Sequence, residues 1–485
     1  MIWKEHYEVV VGLEVHMQLI TQSKAYASDS AEFGAMPNSH VSPITLGHPG
    51  VLPRFNSKVI EYAVKLGLAC GCAITEVNQF ARKNYFYADL PKGYQITQDK
   101  TPICVGGKIR INTEDGGEKF INLTRIHMEE DAGKSMHDQD PYDSLVDLNR
   151  AGVPLLEMVS EPEIRSADEA YAYLTEVRKL IKYLDICDGN MEEGSMRCDA
   201  NISVRKHGET KFGDRVEVKN MNSIRNVHRA IEFEAKRQIA LIESGEIIDQ
   251  ETRSFDAVNG TTFSLRSKEK ANDYRYFPEP DLCPIVVSEE YISSVKKEMP
   301  ALPFELHQKF TKNFGLSEYD ASNLTDSKPI ALYFNELAGI TSNHKAAANW
   351  INGPVKSYLN DQAIDLEAFP LKPEKLAGII ELIDNDELSF SMASQKLFPE
   401  MLKHPEKMPA ELAAQLNILQ EGNSDMLLEW TNEAISKFPD KVLEYKAGKH
   451  GLIGLFMGEV MKLSKGKVDP KKANQMLRDQ LSKSE

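Results

Sequence analysis

Carboxylate and imidazole side chains recur at alternate positions in several strand-like segments of the sequence. In the segment 11–18, alternation places Glu14 and His16 on one face and apolar residues on the other. In the segment 124–131, Glu130 falls on the same face as the apolar residues. The other polar faces are Arg125, His127, Glu129 and Asp131 in 124–131; Arg197, Asp199, Asn201 and Ser203 in 196–203; and Arg215, Glu217 and Lys219 in 215–219.

Several carboxylates and one imidazole that converge from neighbouring strands would form a set of hard metal ligands. Such a set suits Mg²⁺, which prefers carboxylate, water and phosphate oxygens. The neighbouring Arg125, Arg197, Arg215 and Lys219 could neutralise phosphates. A half-exposed antiparallel sheet produces the same alternation without any function. The repeated Glu, His, Asp and Asn, in place of the Thr, Ser and Lys of a plain solvated face, favour a magnesium site.

The segment 82–98 is dense in cations and tyrosines and contains a turn at Pro91-Lys92-Gly93. Such interleaving can bind a nucleotide or RNA, or it can form a packed polar loop. The sequence contains no GxxxxGK[ST] loop, no GxGxxG and no GxSxG. Any nucleotide site is therefore of another type, and the chain is expected to have no glutamine-splitting machinery of its own.

The secondary structure that must position these residues changes along the chain, from predicted strands to predicted helices. Short alternating runs with Gly, Pro, Asn and Asp between them predict strands up to about residue 295. A capping box at Ser166 and Glu169 predicts a helix to about Leu184. Ser223 to about Ser244 reads as a second helix, ended by Gly245.

Helical periodicity dominates from about residue 296 onward. The sequence predicts an α+β fold, with an N-terminal domain around an antiparallel sheet with flanking helices, followed by an all-α C-terminal region. The predicted domains are 1–295, 296–408 and a small helical tail, 409–485.

Composition limits the class of protein. The chain has 485 residues, a net charge of −16 and six cysteines without framework spacing. These values exclude a uniformly basic nucleic-acid binder and fit a reducing compartment. With no targeting segment and no apolar stretch of about 20 residues, we expect a cytoplasmic protein without a membrane span.

The C-terminal stretch 441–485 is the one basic island of the sequence. It holds ten Lys and Arg against five Asp and Glu, a net of +5. Its last helix is expected to bury Ala473, Met476, Leu477 and Leu481 on one face. The lysines are either a solvated face or an RNA contact, and both interpretations remain open.

Several long motifs resemble one known family. They are Gly12-Leu-Glu-Val-His-Met-Gln18, Arg82-Lys-Asn-Tyr-Phe-Tyr87, Asp89-Leu-Pro-Lys-Gly-Tyr-Gln95, Arg125-Ile-His-Met-Glu-Glu-Asp-Ala-Gly-Lys134, Asp147-Leu-Asn-Arg-Ala-Gly-Val-Pro154, Arg197-Cys-Asp-Ala-Asn201 and Glu217-Val-Lys-Asn-Met-Asn-Ser223. In this order they resemble the B subunit of the aspartyl/glutamyl-tRNA amidotransferases, the GatB family. The resemblance runs from about residue 7 to the end.

The resemblance implies a function. GatB proteins act in a heterotrimer with an amidase subunit, which frees ammonia from glutamine, and with a small third subunit. They bind Glu-tRNA(Gln), and often Asp-tRNA(Asn). They phosphorylate the side-chain carboxylate with ATP and Mg²⁺, and ammonia displaces the phosphate. The family fold has an N-terminal cradle around an antiparallel sheet, and its helical parts hold the tRNA.

The resemblance also implies roles for individual residues, carried over by position. Catalytic roles fall on Glu130, Glu129, Lys83 and Glu217; contacts to the nucleotide on Arg82, Lys92, Lys219 and Asn220; and metal ligation on Glu14, His16, Glu130, Asp199 and Glu217. Many family members bind zinc with four cysteines that correspond to the region 26–45. Here Tyr26, Ala27, Ser28, Val41, Ser42 and Ile44 stand there, so we predict no structural zinc and a loop held by packing and hydrogen bonds.

Two alternatives come from other classes. The chain could be a noncatalytic tRNA-binding adaptor whose carboxylates are structural, or a free-standing ligase that uses dissolved ammonia. The first predicts tRNA binding without ATP turnover. The second predicts activity without tRNA, and the basic tail disfavours it.

Overall fold

The computed structural model describes residues 6–137, 139–267, 273–419, 424–464, 468 and 470–483. The chain divides into two compact units, Met1–Leu302 and Pro303–Glu485. The first contains a large mixed sheet with flanking helices, and the described part of the second contains helices and no strand. The predicted α+β fold is confirmed. The predicted boundary near 408 stays a prediction.

Seventeen strands occur among the described residues, all in the first unit. They are β1 Tyr7–Gln18, β2 Ala73–Ile74, β3 Val77–Asn78, β4 Ala81–Asn84, β5 Tyr94–Thr97, β6 Cys104–Val105, β7 Lys108–Asn112, β8 Glu118–Glu130, β9 Lys134–Met136, β10 Leu145–Asp147, β11 Pro154–Ser160, β12 Met196–Lys206, β13 Val216–Lys219, β14 Glu251–Asp256, β15 Thr261–Ser267, β16 Phe277–Pro278 and β17 Ile285–Val286.

Ten of these strands form one sheet, in the order β15-β14-β13-β12-β1-β11-β8-β6-β2, with β7 paired to β8. β1 lies in its middle, antiparallel to both β11 and β12. The sheet was expected to be antiparallel, and this is correct for all its pairs but one. β13 and β14 pair in parallel, so the sheet is mixed. Three smaller sheets also form, β16-β4-β5, β9-β10 and β3-β17.

The central strand alternates as its sequence predicts. Val11, Leu13, Val15 and Met17 are at most 1% exposed, whereas Glu14 and His16 are half-buried on the other face. Because neighbouring strands repeat this alternation, the large sheet has an apolar face that packs in the core and a polar face that is left for chemistry.

The described part of the first unit contains four helices: α1 Lys58–Cys70, α2 Ala167–Tyr183, α3 Ile224–Ser244 and α4 Glu289–Lys297. Both helices that the sequence predicts are present. The Ser166 side chain accepts from the Glu169 amide, and Gly245 ends α3 in the left-handed conformation, with φ of 78°. Apolar side chains of α2 and α3 join the same buried core as the apolar face of β1.

The second unit is helical throughout its described part. Its α-helices are α5 Pro303–Gln308, α6 Glu318–Thr325, α7 Lys328–Ile340, α8 His344–Trp350, α9 Lys356–Gln362, α10 Pro373–Asp384, α11 Phe390–Met392, α12 Phe398–Lys403, α13 Pro409–Gln415, α14 Ser424–Lys437, α15 Pro439–Lys446, α16 Ile453–Leu463 and α17 Pro470–Lys483. Three π-helical turns, Lys309–Asn313, Ile351–Val355 and Ala393–Leu397, interrupt or extend them, and two 3₁₀ turns lie at Leu366–Ala368 and His450–Leu452.

The predicted apolar face of the last helix is present. Ala473, Leu477 and Leu481 of α17 are at most 1% exposed and pack in a small core with α14 and α16. Some tail lysines already have acidic partners. Lys472 pairs with Asp386, and other tail residues, 465–467, 469, 484 and 485, lie outside the described part. No helix in the described ranges is long and apolar enough to cross a membrane.

Candidate active site

Strand register brings acidic side chains of four neighbouring strands around one imidazole. In the antiparallel ladder, His16 of β1 lies opposite Glu157 of β11, and Glu14 lies opposite Asp199 of β12. Leu155 of β11 lies opposite Glu129 of β8, which places that carboxylate one diagonal step away from Glu157. All these side chains point to the polar face of the large sheet.

The His16 ring lies between three carboxylates and bonds to none of them. Its Nδ1 is 3.9 Å from Glu129 Oε1 and 3.7 Å from Glu157 Oε2, and its Nε2 is 3.9 Å from Asp199 Oδ2. The Nδ1 atom is buried and has no hydrogen-bond partner in the described chain. A buried polar atom without a partner is costly. His16 with Glu129 and Glu157, or with Glu14 and Asp199, could hold a metal ion.

The positive charges around the cluster do not fully balance the negative charge of its carboxylates. Burial and the charges of Glu157 and Asp199 raise the pKa of Glu14. Burial opposes the ionised form of Glu129 as well, but neighbouring His127 and the charge of Lys83 outweigh it and lower the pKa. A divalent cation between these oxygens would offset the repulsion that Glu14 experiences. The donor set therefore fits Mg²⁺.

Lysine side chains stand beside these acids. Burial alone would lower the pKa of Lys83, but the charges of Glu129 and Glu157 raise it. Lys219 pairs with Asp199 and, at 2.9 Å, with Glu217, and these charges raise its pKa although burial opposes this. Both lysines therefore keep their positive charge beside the acidic cluster.

An arginine is held in place next to the cluster. Arg197 donates to both carboxylate oxygens of Asp131, at 2.8 and 3.0 Å, and to the Gly194 carbonyl at 3.0 Å. Asp131 also accepts from Gln18 at 2.7 Å. Burial would raise the pKa of Asp131, but the guanidinium groups of Arg197 and Arg150 lower it. This bidentate pairing fixes the direction of the guanidinium.

His16 and several of the acids and cations around it line one cavity of about 550 Å³. Of the acids near His16, Glu129 and Asp199 line it, and Lys83, Arg197 and Lys219 line it as well. It is lined by His16, Lys83, Tyr85, Gln95, Glu129, Asp131, Ala132, Leu155, Met191, Gly194, Arg197, Cys198, Asp199, Lys219, Asn220, Met221 and Asn222. Its volume is within the roughly 300–1,000 Å³ usual for small-molecule sites. A cavity lined by both acids and cations suits a metal and an anionic ligand together.

The structure does not bring Glu130 into this cluster. Consecutive residues of β8 face opposite ways, so Glu130 lies on the other side from Glu129, as the alternation of the sequence indicates. Its Oε1 accepts from the Ile96 amide at 2.9 Å and pairs with Lys92. The geometry gives no support to metal ligation by Glu130, and it places Lys92 with that carboxylate instead of in the cavity.

Three other predicted residues have different surroundings. Arg82 donates two hydrogen bonds to Glu279, at 2.7 and 2.8 Å, and its guanidinium lies 4.2 Å from the Tyr94 ring centroid. Glu217 accepts from Thr252 at 2.9 Å and lies in neither metal-type cluster. Asn220 lines the cavity. Of the predicted ligands, the structure therefore brings together Glu14, His16 and Asp199, with Glu129, Lys83 and Lys219 beside them.

Sequence reasoning missed Glu157. It is the single charged residue in the otherwise apolar run Pro154–Ser160, and its side chain is only 9% exposed. An isolated carboxylate in a buried strand is unusual, and that signal could have found it. His127 was recognised on the polar face but given no role. Its Nε2 lies 3.5 Å from Glu157 Oε2 and 3.8 Å from Glu129 Oε2.

Hydrogen bonds hold the loop in the region 26–45. The Asp29 carboxylate accepts from the Ser42 amide and hydroxyl, at 3.1 and 2.9 Å, and from the Thr45 hydroxyl. The fully buried Lys24 donates to the His40 carbonyl at 2.6 Å. These contacts connect the two ends of the loop, as expected for a loop held without cysteines.

Comparison with known families defines the class of protein. Residues 9–293 match the family model described as the GatB/GatE catalytic domain, and residues 332–481 match the one described as the GatB domain. The chain belongs to the GatB family, as its motifs indicate.

Curated relatives are similar over nearly their whole length. A protein of Thermodesulfovibrio yellowstonii is 48% identical, over 97% of this chain and 98% of its own. A protein of Caldicellulosiruptor bescii is 47% identical, over 98% of this chain and 99% of its own. Both are named as the B subunit of an aspartyl/glutamyl-tRNA(Asn/Gln) amidotransferase. That name implies a complex of several subunits.

Proposed function

We propose that this chain phosphorylates the side-chain carboxylate of glutamate, or aspartate, esterified to tRNA, and then amidates it. ATP and Mg²⁺ are required, and the products are Gln-tRNA(Gln) or Asn-tRNA(Asn), ADP and phosphate. One observation carries the proposal. The unpartnered His16 Nδ1 lies near the buried carboxylates of Glu129 and Glu157, and His16 lines a cavity that Lys83, Arg197 and Lys219 also line.

The proposed reaction has two steps. A carboxylate oxygen of the substrate attacks the γ-phosphorus of ATP, the bond to the β-phosphate oxygen breaks, and ADP leaves. The nitrogen of ammonia then attacks the acyl carbon of the acyl phosphate, phosphate leaves, and the nitrogen loses a proton to give the amide. Activation is needed because a free carboxylate is a poor electrophile and oxide a poor leaving group.

The residues of the chain have separate tasks in this reaction. Lys83 and Lys219, both charged, attract the anionic substrate groups. Arg197, fixed by Asp131, offers a guanidinium in a set direction. His16, Glu129 and Glu157, with Glu14 and Asp199 beside them, would hold Mg²⁺. The ion would supply charge that lets two anions approach each other.

The remaining functional assignments also belong to this proposal. An amidase partner supplies the ammonia, a small third protein completes the heterotrimer, and the cytoplasm is the compartment. The helical tail, 409–485, contacts the tRNA. The names of the relatives support partner subunits and a tRNA substrate, and the basic charge of 441–485 supports the tRNA contact.

The deciding experiment is release of ADP by the complex of this chain with its partner subunits, with and without Glu-tRNA(Gln), at fixed Mg²⁺ and ammonium. Release that depends on the charged tRNA is expected, and His16→Ala and Glu129→Gln should abolish it while glutamine hydrolysis continues. The control is Glu209→Gln, which changes an exposed acid. Bound tRNA without tRNA-dependent ADP release would favour the noncatalytic adaptor.

A further inference from the structure

Lys83 is held differently from the other cations that line the cavity of the candidate active site. Arg197 and Lys219 each pair with a carboxylate, Asp131 and Asp199 respectively. Within the described part of the chain, the Lys83 ammonium takes part in neither a salt bridge nor a hydrogen bond. An ammonium group has three N–H donors, so those of Lys83 are all available to an anionic ligand.

Two tyrosine rings lie beside this ammonium where a carboxylate would otherwise be expected. The Lys83 Nζ is 5.2 Å from the ring centroid of Tyr274 and 5.9 Å from that of Tyr85. A cation within about 6 Å of an aromatic ring centroid is attracted by the quadrupole of the ring. Because this attraction acts on the charge as a whole, the rings can hold Lys83 in place without the strong hydrogen bond that a carboxylate would accept.

Tyr274 reaches this position from a distant part of the chain, and the backbone around it is fixed. β16 pairs with β4, with Phe277 opposite Arg82. The Asn84 amide donates to the Tyr274 carbonyl at 3.0 Å, and Asn84 Nδ2 donates to the Arg275 carbonyl at 2.9 Å. Arg275 has a left-handed backbone, with φ of 46°. Such strain in a residue other than glycine is concentrated at functional sites, where the surroundings hold it in place.

Neighbouring rings restrict the orientation of Tyr274. Its ring centroid lies 6.0 Å from those of both Tyr85 and Tyr276, with the planes at 70° and 71°. The Tyr85 hydroxyl in turn donates to Gln95 Oε1 at 3.0 Å. Edge-to-face pairs of this kind are favourable. The two rings beside Lys83 are therefore fixed themselves.

We propose that Tyr274, together with Tyr85, is a positioning residue that holds Lys83 as the unpaired cation of the cavity. Lys83 then donates to an anionic group of the reaction, the γ-phosphate of ATP or the carboxylate of the substrate. This inference rests on the proposed function, which supplies the anion. The alternative is that Tyr274 only packs two parts of the fold together, and the test must separate the two.

The first test compares Tyr274→Leu with Tyr274→Phe in the complex of this chain with its partner subunits. A cation–π contact changes an equilibrium constant by roughly 2- to 30-fold, so Tyr274→Leu should lower kcat/KM for tRNA-dependent ADP release about tenfold. Tyr274→Phe keeps the ring and should lower it less than about threefold. In a Lys83→Gln background, Tyr274→Leu should also cost less than about threefold, because the residue that it positions is absent.

A second test follows Lys83 directly and needs no turnover. Acetic anhydride labels lysines, and mass spectrometry gives the rate at Lys83 relative to the exposed Lys462. The ring stabilises the charged, unreactive form of the amine, so Tyr274→Leu should raise this relative rate at least about threefold, and Tyr274→Phe should not. This test decides the proposal if Lys83→Gln is inactive.

Binding without turnover identifies the anion. If Lys83 donates to the γ-phosphate, Tyr274→Leu should raise the Kd for the β,γ-imido analogue of ATP and leave the Kd for ADP unchanged. If Lys83 donates to the substrate carboxylate, both values should stay unchanged while kcat/KM still falls.

Other outcomes would overturn the proposal and leave Tyr274 as a packing residue. They are a tenfold loss that persists in the Lys83→Gln background, equal losses in the Leu and Phe variants, and an unchanged rate of labelling at Lys83. If Tyr274→Leu does not fold, Tyr274→Met takes its place with the same expectations. If labelling changes as expected but the wild-type complex shows no tRNA-dependent ADP release, the proposed function fails while the positioning of Lys83 stands.

Discussion

Replacing Glu157 by Gln tests whether the acidic cluster is a metal site. The substitution keeps the size of the side chain and removes its charge. Glu157 Oε2 lies 3.7 Å from His16 Nδ1, and the charge of Glu157 helps to raise the pKa of Glu14. In a metal site the change should weaken cation binding but relieve repulsion in the metal-free protein. The substitution should therefore lower the stability of the metal-bound protein and raise that of the metal-free protein.

The expected loss of affinity follows from the burial of this carboxylate. With an effective dielectric of about 20, a carboxylate attracts a single positive charge at about 4 Å by about 4 kcal/mol. Desolvation of the two groups offsets part of that attraction. Removing a residue that only hydrogen-bonds to a metal ligand weakens metal binding about 10- to 100-fold. A direct ligand should cost at least about 100-fold, or about 2.8 kcal/mol.

The assay is titration of the purified full chain with Mn²⁺, followed by electron paramagnetic resonance, together with thermal unfolding with and without metal. Glu157→Gln should raise the Kd about 100-fold or more, and should not lower the unfolding temperature of the metal-free chain. Glu209→Gln is the control. An unchanged Kd, or a metal-free chain that unfolds at a clearly lower temperature, would refute the reasoning and identify Glu157 as a structural partner.

Three further changes test other parts of the chain. Burial lowers the pKa of Lys24 to about 8, from 10.5, so between these two values the folded state releases a proton that the unfolded state keeps. The free energy of unfolding of the wild type, relative to that of Lys24→Met, should therefore rise by about 2 kcal/mol between about pH 7 and about pH 9.5. Denaturant titration measures this difference, and the absence of a rise would contradict the prediction. Arg82→Ala removes the cationic partner of the fully buried Glu279 side chain and should lower stability by about 3–5 kcal/mol, measured by unfolding. Weaker nucleotide binding at unchanged stability would instead support the predicted nucleotide contact. Lys462→Ala, at an exposed residue, should reduce the slope of log K against log salt for tRNA binding by about one, and an unchanged slope would show that this lysine is solvated.

Local patterns predict the elements of this fold well. The capping box at Ser166 and the glycine at 245 mark the ends of real helices, because cap chemistry depends on residues a few positions apart. The alternation of β1 correctly divides its residues between the core and the site. The parallel pairing of β13 with β14 was not predicted, because the partner of a strand depends on contacts far apart in sequence.

The arrangement of the candidate site was harder to predict from the sequence than the fold, for physical reasons. Alternation assigned Glu130 to the face opposite Glu129, whereas position in the family motif suggested metal ligation; the structure agrees with the alternation. Glu157 was missed because an apolar run reads as plain core. Its role becomes visible only when the register of β11 against β1 places it opposite His16.

The central sheet explains how so many acids can converge without unfolding the chain. Ladder hydrogen bonds fix the backbone of β1, β11 and β12, so Glu14, His16, Glu157 and Asp199 cannot move apart to reduce their repulsion. The apolar face of the same strands provides the burial that holds the sheet together. A flexible loop with these residues would spread them into solvent. On this sheet the repulsion is retained, and a cation that binds between the carboxylates gains the free energy that their forced proximity stores.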